Sequence, residues 1–178
     1  AIMCSIPCVS SSARFWLLHY GLVLTIFSTV VVVSTMCALF CFGLDRKVPI
    51  NYALLGFFTA GESYLVMFIC ATVKDPIVVL QAATLTAAFT IGLTVYAITA
   101  KTDFTTWGAF LMVCTFGLMA FGLLCTLFGF KLPLLYSIIG VILFGLYLIY
   151  DTQLLLGGKQ HEFEEDQYIL AAVALYLD

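Results

Sequence analysis

Long apolar runs separated by short polar turns make up nearly the whole chain, and each run is long enough to cross a bilayer as a helix, which takes about 20 residues. Span A is expected from about Tyr20 to Gly43, with Trp16, His19 and Tyr20 at its interfacial end and Asp45, Arg46, Lys47 and Pro49 closing it. Span B follows over about Ile50 to Val73 and stops at Lys74, Asp75 and Pro76. Span C covers about Ile77 to Ala100 and is followed by Lys101, Thr102 and Asp103, while span D covers Phe104 to about Phe130, before Lys131 and Pro133. Span E occupies about Leu134 to Leu156, and Gly157 and Gly158 suit a helix C-terminus. Lys159 to Asp166 is the only clearly hydrophilic connection, and span F begins near Gln167. Residues 1–9 read as the tail of an earlier span and residues 167–178 as the first half of the last. The expectation is one all-α, polytopic transmembrane domain over residues 1–178, cut within a span at both ends. Its turns are so short that successive helices must be antiparallel.

Composition narrows the class further. Of the 178 residues, 63% are hydrophobic and 10% charged, where a soluble domain carries about a quarter charged residues. A net charge of −3 and seven scattered Lys and Arg residues argue against nucleic acid as a partner and leave the lipid bilayer as the expected one. The seven cysteines lie mostly inside apolar runs, where a thiol packs as a small hydrophobe, so no disulfide framework is expected. CxxC and HExxH are absent, and His161-Glu162 has no second histidine at zinc spacing. No resident metal or cofactor is expected. Counting basic residues on alternate sides sets Arg14, Lys74 and Lys131 against Arg46, Lys47, Lys101 and Lys159, which places the loop 159–166 in the cytosol.

Three acids stand out against this background. Asp151 lies in span E, Asp178 in span F and Glu62 near the centre of span B. A charge at membrane depth costs at least ~2.5–3.5 kcal/mol, which makes each a functional candidate. Gly140, Phe144, Tyr147, Asp151 and Leu154 fall on one helical face of span E. Asp178 shares a face with Ala174 and Ala171, small residues that let helices approach closely in lipid. With one short loop between them the two spans are neighbours. Their carboxyls lie roughly 9 and 16 Å from the loop at 1.5 Å rise per residue, a difference of about one turn that tilt or an asymmetric loop can close. Carboxyls that meet in a dry site cannot both ionise easily and titrate as a unit, so a shared proton latches the two helices, and its loss or a second proton changes the latch. The bland alternative is that each acid is a structural hydrogen-bonding group, capping a neighbour or bonding Tyr147, Tyr150 or Tyr176. Glu62 lines a cation path on one reading and bonds Tyr64 or a facing threonine on the other. Thr86, Thr90 and Thr94 make a hydroxyl stripe on span C, read as close packing rather than a water path. The glycines five apart, such as Gly56 and Gly61, do not share a face and are not GxxxG seams.

Tyr150-Asp151-Thr152-Gln153 with Gly157-Gly158, then Tyr168, Ala171-Ala172 and Leu175-Tyr176-Leu177-Asp178, resemble the signature of the transmembrane Bax inhibitor motif family, most of all its lifeguard branch. Phe58-Thr59, Thr84-Leu85-Thr86-Ala87, Gly92-Leu93-Thr94-Val95-Tyr96-Ala97 and Lys101-Thr102-Asp103-Phe104-Thr105 extend the likeness along the chain. The resemblance implies a seven-helix bundle, of which about six spans are present, in endoplasmic reticulum or Golgi membranes. It further implies a pH-sensitive calcium leak with an anti-apoptotic role, apoptosis regulators as partners in the membrane, and Asp151 and Asp178 as the pH-sensing pair. Two carboxylates fall short of the six to eight oxygens calcium takes. Calcium is therefore expected as a transported ion held transiently at Asp151 and Asp178, with Tyr150, Thr152, Gln153 and Tyr176 as supporting positions.

Two other readings compete. An intramembrane aspartyl protease also places acids on two successive spans, but the residues before Asp178 are Leu175, Tyr176 and Leu177, bulky where such proteases carry Gly-x-Gly and a substrate backbone must approach. The chain is therefore not expected to be an enzyme. The remaining alternative is a non-conducting membrane protein that regulates cell death by binding its partners.

Overall fold

The computed structural model describes residues 11–178 apart from Lys74, Lys131 and Phe163, and it is helical almost throughout. The stretch 1–9 expected as the tail of an earlier span, the turn cations Lys74 and Lys131, and the side chains of Arg14 and Trp16 lie outside the described residues. Among the described residues six helices follow in order: α1 (Ser11–Phe42), α2 (Ile50–Thr72), α3 (Pro76–Thr99), α4 (Gly108–Phe128), α5 (Pro133–Leu156) and α6 (Tyr168–Leu177). Single 3₁₀ turns at Leu44–Arg46, Thr105–Trp107 and Glu165–Gln167 lead into α2, α4 and α6. Among the described residues, five segments are long and apolar enough to span a membrane: His19–Phe42, Ile50–Thr72, Pro76–Thr99, Thr105–Phe128 and Pro133–Leu156. They coincide with spans A to E to within a few residues, and α6 is the shorter apolar helix begun as span F.

The distribution of side chains is that of a protein solvated by lipid. Large apolar groups face outward, with Phe27 64%, Val113 69% and Leu127 70% exposed, whereas Ser28, Thr35, Asn51, Asp151, Thr152 and Gln153 are buried. In water such a surface aggregates; in a bilayer it is the solvated face. Helical hydroxyls are satisfied locally: Thr25 Oγ1 donates to Gly21 O at 2.8 Å and Thr35 Oγ1 to Val31 O at 2.8 Å. The protein is a polytopic, all-helical membrane protein. Its residues divide between Ala87 and Ala88 into two compact units.

In the first unit α1 and α2 form an antiparallel hairpin. Gly21, Ser28, Val32, Thr35 and Leu39 are buried and step by sevens, fours and threes, the spacing of a coiled-coil seam. Gly43, in the left-handed region at φ 59°, ends α1, and Asn51 Nδ2 secures the turn by donating to Asp45 O at 2.9 Å. Close approach needs small residues at two points. Tyr64 Oη donates to Gly21 O at 3.1 Å, and a Cβ on Gly61 would sit 2.7 Å from Val32 Cγ2. Gly61→Ala is therefore expected to destabilise the hairpin by about 1–3 kcal/mol through overpacking, despite alanine's better helix propensity. Denaturant unfolding in detergent measures it, and adding Val32→Ala should recover most of the loss.

The cysteine expectation needs correction. Cys37, Cys41, Cys114 and Cys125 are free, but Cys70 is disulfide-bonded. Burial in apolar runs identifies thiols that pack, but says nothing about which thiols the fold brings together.

In the second unit α4 and α5 form another antiparallel pair around Leu111, Leu118 and Leu143. Tyr150 lies over Gly108 and Tyr136 over Gly122, where a Cβ would come within 2.7 Å of the Tyr150 hydroxyl and 2.9 Å of the Tyr136 ring. The two glycines are fourteen residues apart on α4 and the two tyrosines fourteen apart on α5, two heptads each, so the contacts repeat on the same seam. Thr115 Oγ1 reaches Tyr147 Oη between them at 3.0 Å. Gly145 admits Phe89 and Leu93 of α3 on another side. The single α5 stripe expected from the sequence gives way near the C-terminal end, where Leu148, Ile149, Asp151, Thr152, Gln153 and Leu154 are all buried. A helix covered on every side is the centre of its unit.

Candidate functional site

The end of α5 places Asp151, Thr152 and Gln153 in succession at 8%, 6% and 1% exposure. Three consecutive polar side chains point in three directions around a helix, so each must find a different partner. After them Gly157 and Gly158, at φ 68° and 72°, turn the chain out of the helix, and Gly158 N donates to Glu162 Oε2 at 2.9 Å. Glu164 and Gln167 form a capping box that starts the next turn. From there α6 returns along α5, burying Ile169, Ala171 and Val173.

This return brings Asp178 to Asp151. Their carboxyls lie side by side, within reach of a hydrogen bond, closing the one-turn difference in depth expected from helix rise. A hydrogen bond between two carboxyls requires a proton on one of them. A proton shared between the two carboxyls would give a partner to Asp178 Oδ2, a buried oxygen that otherwise has none. No other described side-chain N or O atom is left buried in that state.

The tyrosines have other work. Tyr147 Oη meets Thr115 and the Tyr150 ring covers Gly108, while Tyr176 is 47% exposed. Glu62 is half-buried on α2 in the first unit, next to the close-packed Gly61. A groove of about 790 Å³ lined by Met119, Gly122, Thr126, Pro133, Tyr136 and Ser137 lies at the other end of the α4–α5 hairpin from the aspartates. Among the described residues no group of three or more His, Cys, Asp or Glu gathers to hold a metal ion.

Gln153 turns away from the pair into the α3–α4 loop. Its Oε1 accepts from Phe104 N at 2.8 Å, and its Nε2 donates to Thr102 O at 3.0 Å and Ala97 O at 3.3 Å. In the same loop Asp103 Oδ1 accepts from Thr105 N at 2.9 Å and Thr105 Oγ1 at 2.6 Å. The α5–α6 loop closes onto it: Gln160 N donates to Asp103 Oδ2 at 3.2 Å and His161 N to Thr105 Oγ1 at 3.2 Å. Lys159 Nζ donates to Ala100 O at 3.4 Å and Lys101 O at 3.3 Å. The Thr105 hydroxyl, helped by the Gln160 and Thr105 amides and the Lys159 charge, holds the Asp103 carboxyl below the ordinary carboxylate range against the opposing effect of desolvation.

A family model described as inhibitor of apoptosis-promoting Bax1 matches residues 1–178. The chain belongs to that family. Among curated relatives of this chain, Protein LIFEGUARD 4 of Arabidopsis thaliana is 37% identical over 163 residues, 89% of this chain and 63% of the relative. Protein LIFEGUARD 2 of the same plant is 36% identical over 174 residues, 95% of this chain and 70% of the relative. Protein lifeguard 3 of Homo sapiens is 30% identical over 154 residues, 84% of this chain and 49% of the relative. The chain thus spans about half to two thirds of the length of these relatives. No solved structure matches it. The Bax1-inhibitor family is generally one of non-enzymatic membrane proteins, and the resemblance drawn from the motifs around Asp151 and Asp178 holds along the whole chain.

Proposed function

We propose that this protein is a pH-sensitive calcium leak of endoplasmic reticulum or Golgi membranes that restrains cell death, with Asp151 and Asp178 as its sensor. The observation that carries this reading is the meeting of two carboxyls, Asp151 buried at the end of α5 and Asp178 half-buried at the end of α6. Sharing one proton, the pair is satisfied and the two helices are held together. Losing it leaves two like charges at contact in a poorly hydrated place, which repel each other and attract a cation. Four carboxylate oxygens make a weak calcium site, and weak, transient binding is what conduction requires. In this reading the loop 159–166 faces the cytosol and Glu62 lines part of the ion path. Calcium release from loaded liposomes across a pH series tests it: the protein should leak at a rate that depends on pH, and a folded protein that leaks at no pH would sink the proposal.

The description of the family, inhibitor of apoptosis-promoting Bax1, favours a second reading, a non-conducting protein that acts on death regulators within the membrane. Cells carrying Asp151→Asn with Asp178→Asn separate the two. Full protection by a variant whose pH-regulated flux is gone assigns the biology to binding, whereas protection lost together with that regulation assigns it to the leak.

A further inference from the structure

The α5–α6 loop joins the helices that carry the aspartates, so whatever fixes this loop fixes how deep each carboxyl lies relative to the other. The structure gives it a specific anchor. The loop's Gln160 and His161 amides are held by the Asp103 carboxylate and the Thr105 hydroxyl at 3.2 Å each, and Lys159 reaches two carbonyls of the same segment. That segment is itself fixed to α5 by the three bonds of Gln153, two residues beyond Asp151. The contacts form a closed circuit: α5, the α3–α4 loop, the α5–α6 loop and back to α5. Of its members Gln153 is 1% and Thr105 2% exposed, so the circuit is anchored on two buried side chains, while the Asp103–Gln160 bond lies at its exposed rim. We propose that Asp103 and Thr105, seated on Gln153, are positioning residues that brace the α5–α6 loop and thereby set the register in which Asp151 meets Asp178.

This inference rests on the aspartate pair being the sensor and adds what tunes it. Among the described residues, the titratable and charged groups of this unit on the elements around the pair are Tyr96 on α3, Cys114 and Cys125 on α4, Tyr136, Tyr147 and Tyr150 on α5, Tyr168 and Tyr176 on α6, Lys101 and Asp103 in the α3–α4 loop, and Lys159, His161, Glu162, Glu164 and Asp166 beyond α5. Asp103 does not mimic the pair's response. Its carboxyl is held below the ordinary range, so its contribution is complete at neutral pH and fades only as the medium falls through that depressed value.

A brace that slips lets the carboxyls part, and separated carboxyls give up the shared proton more readily. Infrared spectroscopy of the protein in liposomes reads this without reference to flux, through the carbonyl stretch of a protonated carboxyl that disappears in the Asp151→Asn, Asp178→Asn double variant. Asp103→Ala and Thr105→Val are expected to move the midpoint of that band by about one pH unit toward acid, a tenfold change in the proton concentration at half-titration. Thr105→Ser, which keeps the hydroxyl, should titrate like the parent protein. Lys159→Ala, at the rim of the circuit, supplies a milder variant should either of the others fail to fold, with a smaller shift in the same direction. Unchanged midpoints in variants whose Gln160 and His161 amides exchange faster with solvent would overturn the brace. A shifted band in a protein that carries no calcium would leave the brace standing and remove the leak reading instead.

Discussion

Replacing Gln153 with leucine is expected to destabilise the protein by about 3–5 kcal/mol, since a buried backbone group left unpaired costs roughly 1–3 kcal/mol. Three backbone groups, one in a buried bond and two in partly buried ones, depend on this side chain: Ala97 O, Phe104 N and Thr102 O. Leucine matches its volume and suits the apolar surroundings, which recovers a part of the loss but supplies no donor or acceptor. Gln153→Glu is the sharper control. It keeps an oxygen for the Phe104 amide, yet turns an acceptor toward two carbonyls that need a donor, so it should be nearly as costly. Denaturant unfolding in detergent measures both, and a loss below about 1 kcal/mol for the leucine variant would mean that loop backbone is satisfied by other means.

Asp151→Asn and Asp178→Asn are expected to be strongly non-additive. If the carboxyls titrate as one unit, either substitution ends the sharing of a proton, and the second has little left to remove. Each single variant should lose the regulated part of the response, and the double variant should resemble either single one. Carboxyls acting independently would instead each remove a separate step, and the double variant would show the sum. The comparison distinguishes a coupled sensor from two acids that merely lie close, whose interaction would be small.

The two acids were legible in the sequence because lipid makes a charge conspicuous: Asp151 and Asp178 interrupt runs that are otherwise apolar. The same constraint made five spans legible to within a few residues, since a bilayer sets the length of a helix. The meeting of the pair was not legible from helix rise alone, which left a difference of about one turn between them. The course of the α5–α6 loop and the docking of α6 on α5 remove it. Close approach at Gly61, and the matched pairs Gly108 with Tyr150 and Gly122 with Tyr136, were also missed. Spacing within one helix cannot say which faces of two helices meet, although the shared separation of fourteen residues was a signal in plain view. Gln153 was singled out only as part of a motif. A glutamine among apolar residues has to spend two donors and an acceptor somewhere, and the Asp-Phe-Thr turn, rich in backbone groups, was the place to look. The Cys70 disulfide had no comparable signal, because an apolar setting suits free and bonded cysteines alike.

Calcium flux from liposomes across a pH series, with the parent protein beside Asp151→Asn and Asp178→Asn, tests the central claim most directly. The account predicts a leak in the parent protein that changes by about tenfold per pH unit over its steep range, as a single coupled proton requires, and a flat response in either variant. A parent protein and two variants with the same pH dependence would contradict it.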